Sequence, residues 1–218
     1  MSADARILVI NPNSNAGVTA AMAEALAPFA RPDGPRIDCT TLEEGPFGIE
    51  SQADIESVVL PLARLVAREK AAAYVIACFS DPGLQVCREA TRAPVLGVRE
   101  AGVLTALARA DRFGIIAIQN RSIRRHLRAL REIGAIGRLA GDRSLDMSVA
   151  ETASGEATFG RMLEIGRTLR DTDGAEAIVL GCTGMTRHRA ALEAELGIPV
   201  VDPTQAAVAM ALGAVLAG

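Results

Sequence analysis

Short, apolar segments alternate with segments of helical periodicity along the whole chain. Most of the apolar segments have the length of a strand and are not interrupted by polar residues, which is typical of parallel strands buried on both faces. The predicted strands are 7–10, 36–41, 73–77, 95–98, 114–118, 146–149, 177–180 and 200–201. Helical patterns lie between them, so we expect parallel sheets with right-handed crossover connections.

The strand pattern occurs twice. The matched segments are those ending at Cys78 and Cys182 at an offset of 104 residues, 94–96 with 199–201 at 105, and 7–10 with 115–118 at 108. Three strand segments in the same order and with nearly the same spacing predict two similar α/β lobes.

The repeat defines the expected architecture. The predicted fold class is α/β, with two pseudo-symmetric lobes that are each a parallel sheet flanked by helices, and with the active site in the cleft between them. We predict a first lobe of residues 1–98 plus 203–218 and a second lobe of residues 99–202. The last helix, 206–217, is apolar on nearly every face and must be buried on the first lobe or at a subunit interface, so a homo-oligomer is expected.

Composition narrows the range of functions. Aromatic residues make up 3% of the 218 residues, the net charge is −3 and there is no long basic stretch, which argues against nucleic acid or an anionic membrane as a partner. No segment reaches transmembrane length, and the first residues lack the basic and apolar parts of a secretory signal. We therefore predict a cytoplasmic protein that acts on a small-molecule substrate.

The cysteines indicate thiol chemistry rather than metal binding. The four cysteines contain no C-x-x-C pair and the two histidines lie far from each other in the chain, so no metal site is predicted. Cys78 and Cys182 each end an apolar strand, whereas Cys39 and Cys87 have no partner in the repeat and are assigned to packing. A buried thiol is most often only a small apolar side chain, but the matched positions of Cys78 and Cys182 favour catalysis.

Ligands collect at the carboxyl ends of parallel strands, where several polar residues of this chain are found. After Cys78, Ser80 or Asp81 is predicted to cap the next helix, and Cys182 is expected to precede a helix near Thr186; free N–H groups at helix starts favour the thiolate. Asn11 is either a turn residue or a substrate contact. The same alternatives apply to Gln119 and Asn120, which the repeat pairs with the Asn11 segment.

Four motifs at these strand ends carry a family resemblance. They are Ile10-Asn11-Pro12-Asn13-Ser14, Gly45-Pro46 with Ile49-Glu50, Ala77-Cys78-Phe79-Ser80-Asp81-Pro82-Gly83-Leu84, and Leu180-Gly181-Cys182-Thr183-Gly184-Met185. Together they resemble the aspartate/glutamate racemase superfamily over nearly the whole chain, and are most similar to hydantoin and allantoin racemases. The motif around Cys78 is long and specific, whereas Asn-Pro-Asn alone would be weak.

The resemblance implies an isomerase that needs no cofactor and uses Cys78 and Cys182 as an acid–base pair on a carbon next to a carbonyl. The expected substrate is a 5-substituted hydantoin or allantoin. The predicted substrate-binding residues are Asn11, Phe79, Ser80, Gln119, Asn120 and Thr183. Ser80 replaces a usual Gly of the hydantoin enzymes, and Ile118-Gln119 stands where they often have Thr, which leaves the substrate open.

Other readings remain. An amino-acid racemase for aspartate or glutamate needs a cation for the carboxylate, for which Arg121 is the candidate at a strand end. A maleate-type cis–trans isomerase uses a similar cysteine pair for addition chemistry. An alternative from a different functional class is a small-molecule binding protein that has the same fold but no catalytic activity.

Overall fold

The computed structural model describes residues 5–147, 151 and 155–217, with the side chains of 155–157 excepted. By their internal contacts, these residues form two compact units. The first unit extends to Ala101 and includes the chain from Thr204 onward; the second unit is Gly102–Pro203. The division at 98/99 and 202/203, and a shared active site, stay predictions.

The first unit contains one parallel sheet. Its strands are β1 (Arg6–Asn11), β2 (Arg36–Thr41), β3 (Ala73–Ile76) and β4 (Val95–Gly97), in the order β2-β1-β3-β4. Its helices are α1 (Ala16–Leu26), α2 (Gln52–Ser57), α3 (Val59–Arg68), α4 (Leu84–Ala90), the start of α5 (Val98–Leu107) and nearly all of α9 (Pro203–Ala217), with a 3₁₀-helix at Ala27–Phe29.

The second unit repeats this topology. Its strands are β5 (Phe113–Ala117), β6 (Leu139–Ser144), β7 (Ala177–Leu180) and β8 (Val200–Val201), in the order β6-β5-β7-β8. Its helices are α6 (Asn120–Glu132), α7 (Gly155–Asp171) and α8 (Arg189–Leu196), with 3₁₀-helices at Ile136–Arg138 and Thr183–His188. Both sheets are parallel, so the predicted fold class is confirmed.

The buried strands follow from their composition. Strands β3, β5 and β7 are buried at every residue, as expected for central strands with helices on both faces. Helix α3 is amphipathic and turns Leu62, Leu65 and Val66 towards the core of the first unit. The last helix, α9, buries Val208 and Ala211 but leaves Leu216 exposed.

One predicted strand is wrong. The strand expected at 146–149 is absent at Asp146 and Met147, and the rest of that segment lies outside the described residues. The strand is instead β6, whose sequence Leu-Ala-Gly-Asp-Arg-Ser is too polar to produce an apolar run. It tolerates polar residues because it forms the edge of its sheet, and Asp146, with φ of 55°, ends the extended conformation beyond it.

The register corrects one alignment of the repeat. Ile7 pairs with Ala73, and Phe113 pairs with Ala177 in the same way, so the equivalent of Ile7 is Phe113, at an offset of 106 rather than 108 residues. The apolar pattern could not reveal this shift of two residues, because side chains two positions apart on a strand lie on the same face. The structural equivalent of Asn11 is therefore Ala117, and Gln119 corresponds to Asn13.

Candidate active site

Each cysteine of the predicted pair lies at the switch point of its own sheet. The strand order reverses between β1 and β3, and again between β5 and β7, so that crossover connections leave in opposite directions. Loops diverge at such points and open a crevice at the carboxyl ends of the strands. Cys78 follows β3 and Cys182 follows β7, which places each thiol beside this opening of its unit.

Cys78 begins a tight turn. The backbone N–H of Ala77 donates to Ile10 O on β1 at 2.8 Å, which ties the end of β3 to the end of β1. Beyond it, the N–H of Asp81 donates to Cys78 O at 2.8 Å and closes the turn, with Phe79 buried and Ser80 half-buried inside it. Cys78 itself is half-buried, so this thiol is accessible and is held by a well-defined backbone.

Cys182 is the N-cap of a 3₁₀-helix. Its extended backbone, with φ of −156° and ψ of 139°, leads into Thr183–His188, and its sulfur accepts a hydrogen bond from the N–H of Gly184 at 3.4 Å. A thiol that receives backbone N–H groups is stabilised as the thiolate. The helix starts at Thr183 rather than near Thr186, so Cys182 participates in it directly. Thr183 is half-buried next to the sulfur.

The expected cap after Cys78 is wrong. Helix α4 begins only at Leu84, and its N-cap is Gly83 in the left-handed conformation, without a side-chain hydrogen bond. Neither Ser80 nor Asp81 caps it. The side chain of Asp81 instead reaches a different helix, and its backbone adopts the left-handed conformation with φ of 46°.

The carboxylate of Asp81 caps α5. Its two oxygens accept hydrogen bonds from the backbone N–H groups of Arg99 and Glu100, each at 3.0 Å. The Arg99 guanidinium donates to Ser80 O at 3.0 Å and lies 3.6 Å from the Asp81 carboxylate. Burial raises the pKa of Asp81 to about 6, although Arg99 and the two amide hydrogen bonds lower it. The sequence contains Ser-Asp-Pro-Gly turn chemistry here but no sign of a partner so far along the chain.

The two remaining cysteines, Cys39 and Cys87, have raised pKa values. Burial, with the charge of Asp38, raises the pKa of Cys39 to about 11. Burial alone raises the pKa of Cys87 to about 11. Such thiols are almost entirely protonated at neutral pH and are poor bases, so the geometry agrees with their assignment to packing.

Asn11 serves its own loop. Its side chain is fully buried, and its amide nitrogen lies within hydrogen-bond distance of Asn13 Oδ1, Asn15 O and Thr19 Oγ1. Its oxygen accepts from the N–H of Asn13 at 3.2 Å. These contacts correspond to the turn interpretation of Asn11; a substrate contact from this residue stays a prediction.

Gln119 and Asn120 lie at the start of α6. Gln119 is the N-cap residue but makes no capping hydrogen bond with its side chain; its oxygen accepts from Arg121 Nε at 2.6 Å. Asn120 is exposed, and its backbone N–H donates to Asp146 Oδ1 at 3.1 Å. The helix is therefore capped by Asp146 from the loop after β6, a residue that sequence reasoning had placed in a strand.

The loop 45–49 packs against the turn after β1. The N–H of Ser14 donates to Pro46 O at 2.9 Å, and Gly45 lies so close that a Cβ there would stand 2.4 Å from Pro12 O. Within this loop Ile49 is buried in the core of the first unit, whereas Phe47 is 67% exposed. One apolar residue therefore anchors the loop and the other is presented to its surroundings.

No helix among the described residues is both long and apolar enough to cross a membrane. No three histidine, cysteine or acidic side chains in that part of the chain come together as they would around a metal ion.

Comparison with known proteins shows which family this chain is similar to. Residues 7–211 match the family described as Asp/Glu/Hydantoin racemase. The chain is 38% identical to the hydantoin racemase of Paenarthrobacter aurescens, over 98% of this chain and 92% of that protein. It is 36% identical to the hydantoin racemase of Rhizobium meliloti, over 94% and 86% respectively. Among solved structures, allantoin racemase from Klebsiella pneumoniae superposes with a TM-score of 0.93 at 30% identity, over 99% of this chain and 89% of that one.

The α/β fold and the match to racemases over nearly the whole length define a class of isomerases. This chain belongs to the Asp/Glu/Hydantoin racemase family. It is a racemase, and the expectation from its motifs is confirmed at that level.

Proposed function

We propose that this enzyme racemises a 5-substituted hydantoin or allantoin without a cofactor, with Cys78 and Cys182 as its two acid–base groups. The observation that carries the proposal is the equivalence of the two thiols: each follows the strand beside the switch point of a sheet with the same topology. The relatives at 38% and 36% identity are hydantoin racemases, and the allantoin racemase shares the fold, which supports a cyclic ureide as substrate.

In the proposed mechanism, the thiolate of one cysteine removes the proton from the carbon next to the carbonyl. The electron pair of the broken C–H bond moves onto the carbonyl oxygen and gives a planar enolate. The thiol of the other cysteine then protonates the opposite face and is left as the thiolate. The two thiols titrate as a pair, and only the singly protonated form can work in either direction.

Backbone N–H groups of the turns after each cysteine are proposed to stabilise the enolate oxygen. Phe79, Ser80 and Thr183 belong to these turns, and fixed backbone dipoles that face developing charge contribute strongly in a site that excludes water. Gln119 and Asn120 are proposed to hold the amides of the ring. The hydrogen-bonding groups of the Asn11 side chain have partners within its own loop. In this proposal Asn11 therefore supports the turn after β1, and it contacts substrate only if these hydrogen bonds open.

The arginines near the two strand ends favour a neutral ring over an amino acid as substrate. Arg99 lies beside the Cys78 turn, but its guanidinium is bonded to Ser80 O and faces the Asp81 carboxylate. Arg121, the predicted anchor for an amino-acid carboxylate, donates to Gln119. Both cations are therefore already engaged with protein groups. A hydantoin is also more acidic at its α-carbon than an amino-acid carboxylate, which suits catalysis by thiols alone.

The decisive experiment follows optical rotation of enantiopure 5-substituted hydantoins, allantoin, aspartate and glutamate. We expect the cyclic ureides to racemise, and Cys78→Ser and Cys182→Ser each to lower kcat by about a thousandfold, since acid–base catalysis commonly contributes 10²–10⁴. Cys39→Ser is the matched control and should keep its rate. Full activity in either single variant of the pair would exclude two-base catalysis.

Isotope exchange tests the two-base step separately. In D₂O, early product of the opposite configuration should carry deuterium, while the remaining substrate still carries hydrogen, because each face is served by a different thiol. Deuterium entering both enantiomers at the same early rate would indicate a single base instead. A covalent adduct found by mass spectrometry would favour addition chemistry of the cis–trans isomerase type.

A further inference from the structure

We infer that Asp81 and Arg99 form a buried latch that positions Cys78 by fastening its turn to the first residues of α5. The latch consists of the Asp81 carboxylate, the Arg99 guanidinium, and the backbone groups of Ser80, Arg99 and Glu100 that they contact. Asp81 is a positioning residue in this inference, which rests on the proposed role of Cys78.

The geometry of the carboxylate goes beyond ordinary capping. Two oxygens accept from two successive N–H groups at 3.0 Å each, and the side chain is fully removed from solvent. The capping residue normally precedes its helix directly, but here it comes from a loop 18 residues before Arg99 in sequence. Because the cap and the thiol share one turn, closed by the Asp81 N–H to Cys78 O bond, moving the cap must move the thiol.

The surrounding backbone is adapted to this contact. Gly97, the last residue of β4, has no side chain, and a Cβ there would lie 2.5 Å from the Asp81 carboxylate. Asp81 itself adopts φ of 46°, a conformation that side chains other than glycine rarely take. Strained residues of this kind persist where the surroundings hold them, and they concentrate at functional sites.

Arg99 completes the latch from the other side. Its guanidinium donates to Ser80 O at 3.0 Å and stands 3.6 Å from the Asp81 carboxylate, so it holds both ends of the Ser80–Asp81 peptide segment. Its side chain is 13% exposed, which strengthens these contacts because little water competes. Three groups therefore restrain the turn at Ser80 and Asp81, directly after the catalytic thiol of the proposed mechanism.

At the second cysteine, the position equivalent to Asp81 carries no carboxylate that could form such a latch. The residue equivalent to Asp81 is Met185, which is fully buried and apolar, and the chain there continues into the 3₁₀-helix. The latch is therefore not a requirement of the fold. It belongs to the turn after Cys78.

The experiment measures racemisation and, independently, the alkylation of each thiol by iodoacetamide, read by peptide mass spectrometry. Asp81→Asn can accept only through one oxygen and should lower kcat tenfold to a hundredfold with KM changed less than threefold. Alkylation of Cys78 should become at least threefold faster because the loosened turn exposes it, while Cys182 reacts within twofold of its native rate.

A matched control separates positioning from stability. Asp54 is the reciprocal member of the capping box at the start of α2, where Ser51 is the N-cap: its carboxylate accepts from the N–H groups of Glu50 and Ser51 at 3.1 Å and 2.7 Å, and it belongs to a different segment from the Cys78 turn. Asp54→Asn should lower the melting temperature while leaving kcat and Cys78 alkylation within twofold. If it reproduces the effect on Cys78, the latch is only a stability element and the inference is wrong.

A second variant covers the case in which Asp81→Asn does not fold. Arg99→Gln keeps both amide hydrogen bonds of the cap and removes the bond to Ser80 O; we expect a threefold to tenfold loss of kcat and faster Cys78 alkylation. Unchanged kcat and alkylation in Arg99→Gln would overturn the inference. Failure of the proposed function is distinct, because it would appear as an active Cys78→Ser enzyme, whatever the alkylation rates.

Discussion

The strand-to-loop junctions after β3 and β7 share a backbone but not the side chains that hold it. In the first unit, Ala77 N–H donates to Ile10 O at 2.8 Å; in the second, Gly181 N–H donates to Ile116 O at the same distance. The following turns are also alike, closed on the carbonyls of Cys78 and Cys182 at 2.8 Å and 3.1 Å. The backbone on either side of Cys78 and of Cys182 therefore makes equivalent hydrogen bonds.

The side chains differ at equivalent positions. Where the first unit has the buried polar residues Asn11 and Asp81, the second has Ala117 and Met185, which are buried and apolar. The loop after Cys78 is held by side-chain hydrogen bonds to α5, whereas the loop after Cys182 is held by hydrogen bonds within its own 3₁₀-helix and by apolar packing. The comparison teaches that the repeat preserves the sheet edge and the position of the thiol, while the means of holding each loop can diverge. Exchanges between equivalent positions test that conclusion.

The largest expected difference concerns the buried carboxyl. Burial raises the pKa of Asp81 from 3.8 to about 6, against the lowering effect of Arg99, while the charge of Glu100 raises it further. Because the folded state binds this proton more tightly, the contribution of Asp81 to stability is fully present below pH 4 and is lost as the pH rises through 6. The total is roughly 3 kcal/mol at 1.36 kcal/mol per pKa unit.

Denaturant unfolding of the native chain and of Asp81→Asn at pH 4, 5, 6 and 7 measures this effect. The stability of the native chain relative to the variant should fall by most of that amount as the pH rises from 4 through 6, and should level off only at about pH 7. Other titrating groups are common to both proteins and cancel in the difference. A difference independent of pH would mean that Asp81 is ionised throughout this range.

The next effect concerns the polar network after β1. Asn11→Ala introduces the residue that the second unit has at the equivalent position, and it removes the hydrogen bonds to Asn13, Asn15 and Thr19. We expect a loss of about 2 kcal/mol in unfolding free energy, since buried partners are left unsatisfied. Asn120→Ala, at an exposed position, is the control and should change stability by less than about 0.5 kcal/mol.

Thermal and denaturant unfolding measure the loss of stability in Asn11→Ala. Substrate saturation curves test the alternative interpretation, in which Asn11 contacts the substrate. If Asn11→Ala keeps its stability and raises KM, the side chain binds substrate and the turn interpretation is incorrect.

The smallest effect concerns the residue before each cysteine. A Cβ at Gly181 would lie 2.5 Å from Ile116 O and 3.1 Å from Ala117 Cα, so Gly181→Ala must displace backbone and should cost about 1 to 2 kcal/mol. The reverse exchange, Ala77→Gly, should cost about 1 kcal/mol, since it adds freedom to the unfolded chain and removes one buried methyl group without displacing the backbone.

Unfolding free energies of both variants, with kcat measured alongside, check this prediction. Gly181→Ala should also lower kcat, since the displaced backbone carries Cys182, and Ala77→Gly should not. Equal costs in the two variants would show that the two strand ends are more alike than the close approach at Gly181 indicates.

The prediction from sequence succeeded where physical chemistry acts locally. Central strands such as β3 and β7 must be apolar at every position, so they are visible in the sequence, and with them the thiols that follow. The edge strand β6 was missed because one side of an edge strand needs no apolar cover. The offset of β5 was off by two residues because that slip preserves the buried face.

The roles of the polar site residues were harder to predict from the sequence. The sequence around Asp81 suggested a cap, which was correct, but assigned it to α4, which was wrong. The true partner is the start of α5, and no local pattern reports that distant N–H groups have converged on one carboxylate. Asp146 was similarly hidden, since it caps α6 from across the loop after β6.

The amino-acid sequence by itself determined the α/β class, the repeated topology and the two cysteines at matching strand ends, because strand burial and its period are properties of neighbouring residues. Only the tertiary structure decided how each thiol-bearing loop is held: Asp81 and Arg99 on one side, backbone N–H and apolar packing on the other. Those contacts join residues far apart in the chain, and their free energy depends on burial that exists only once the sheets and helices have assembled.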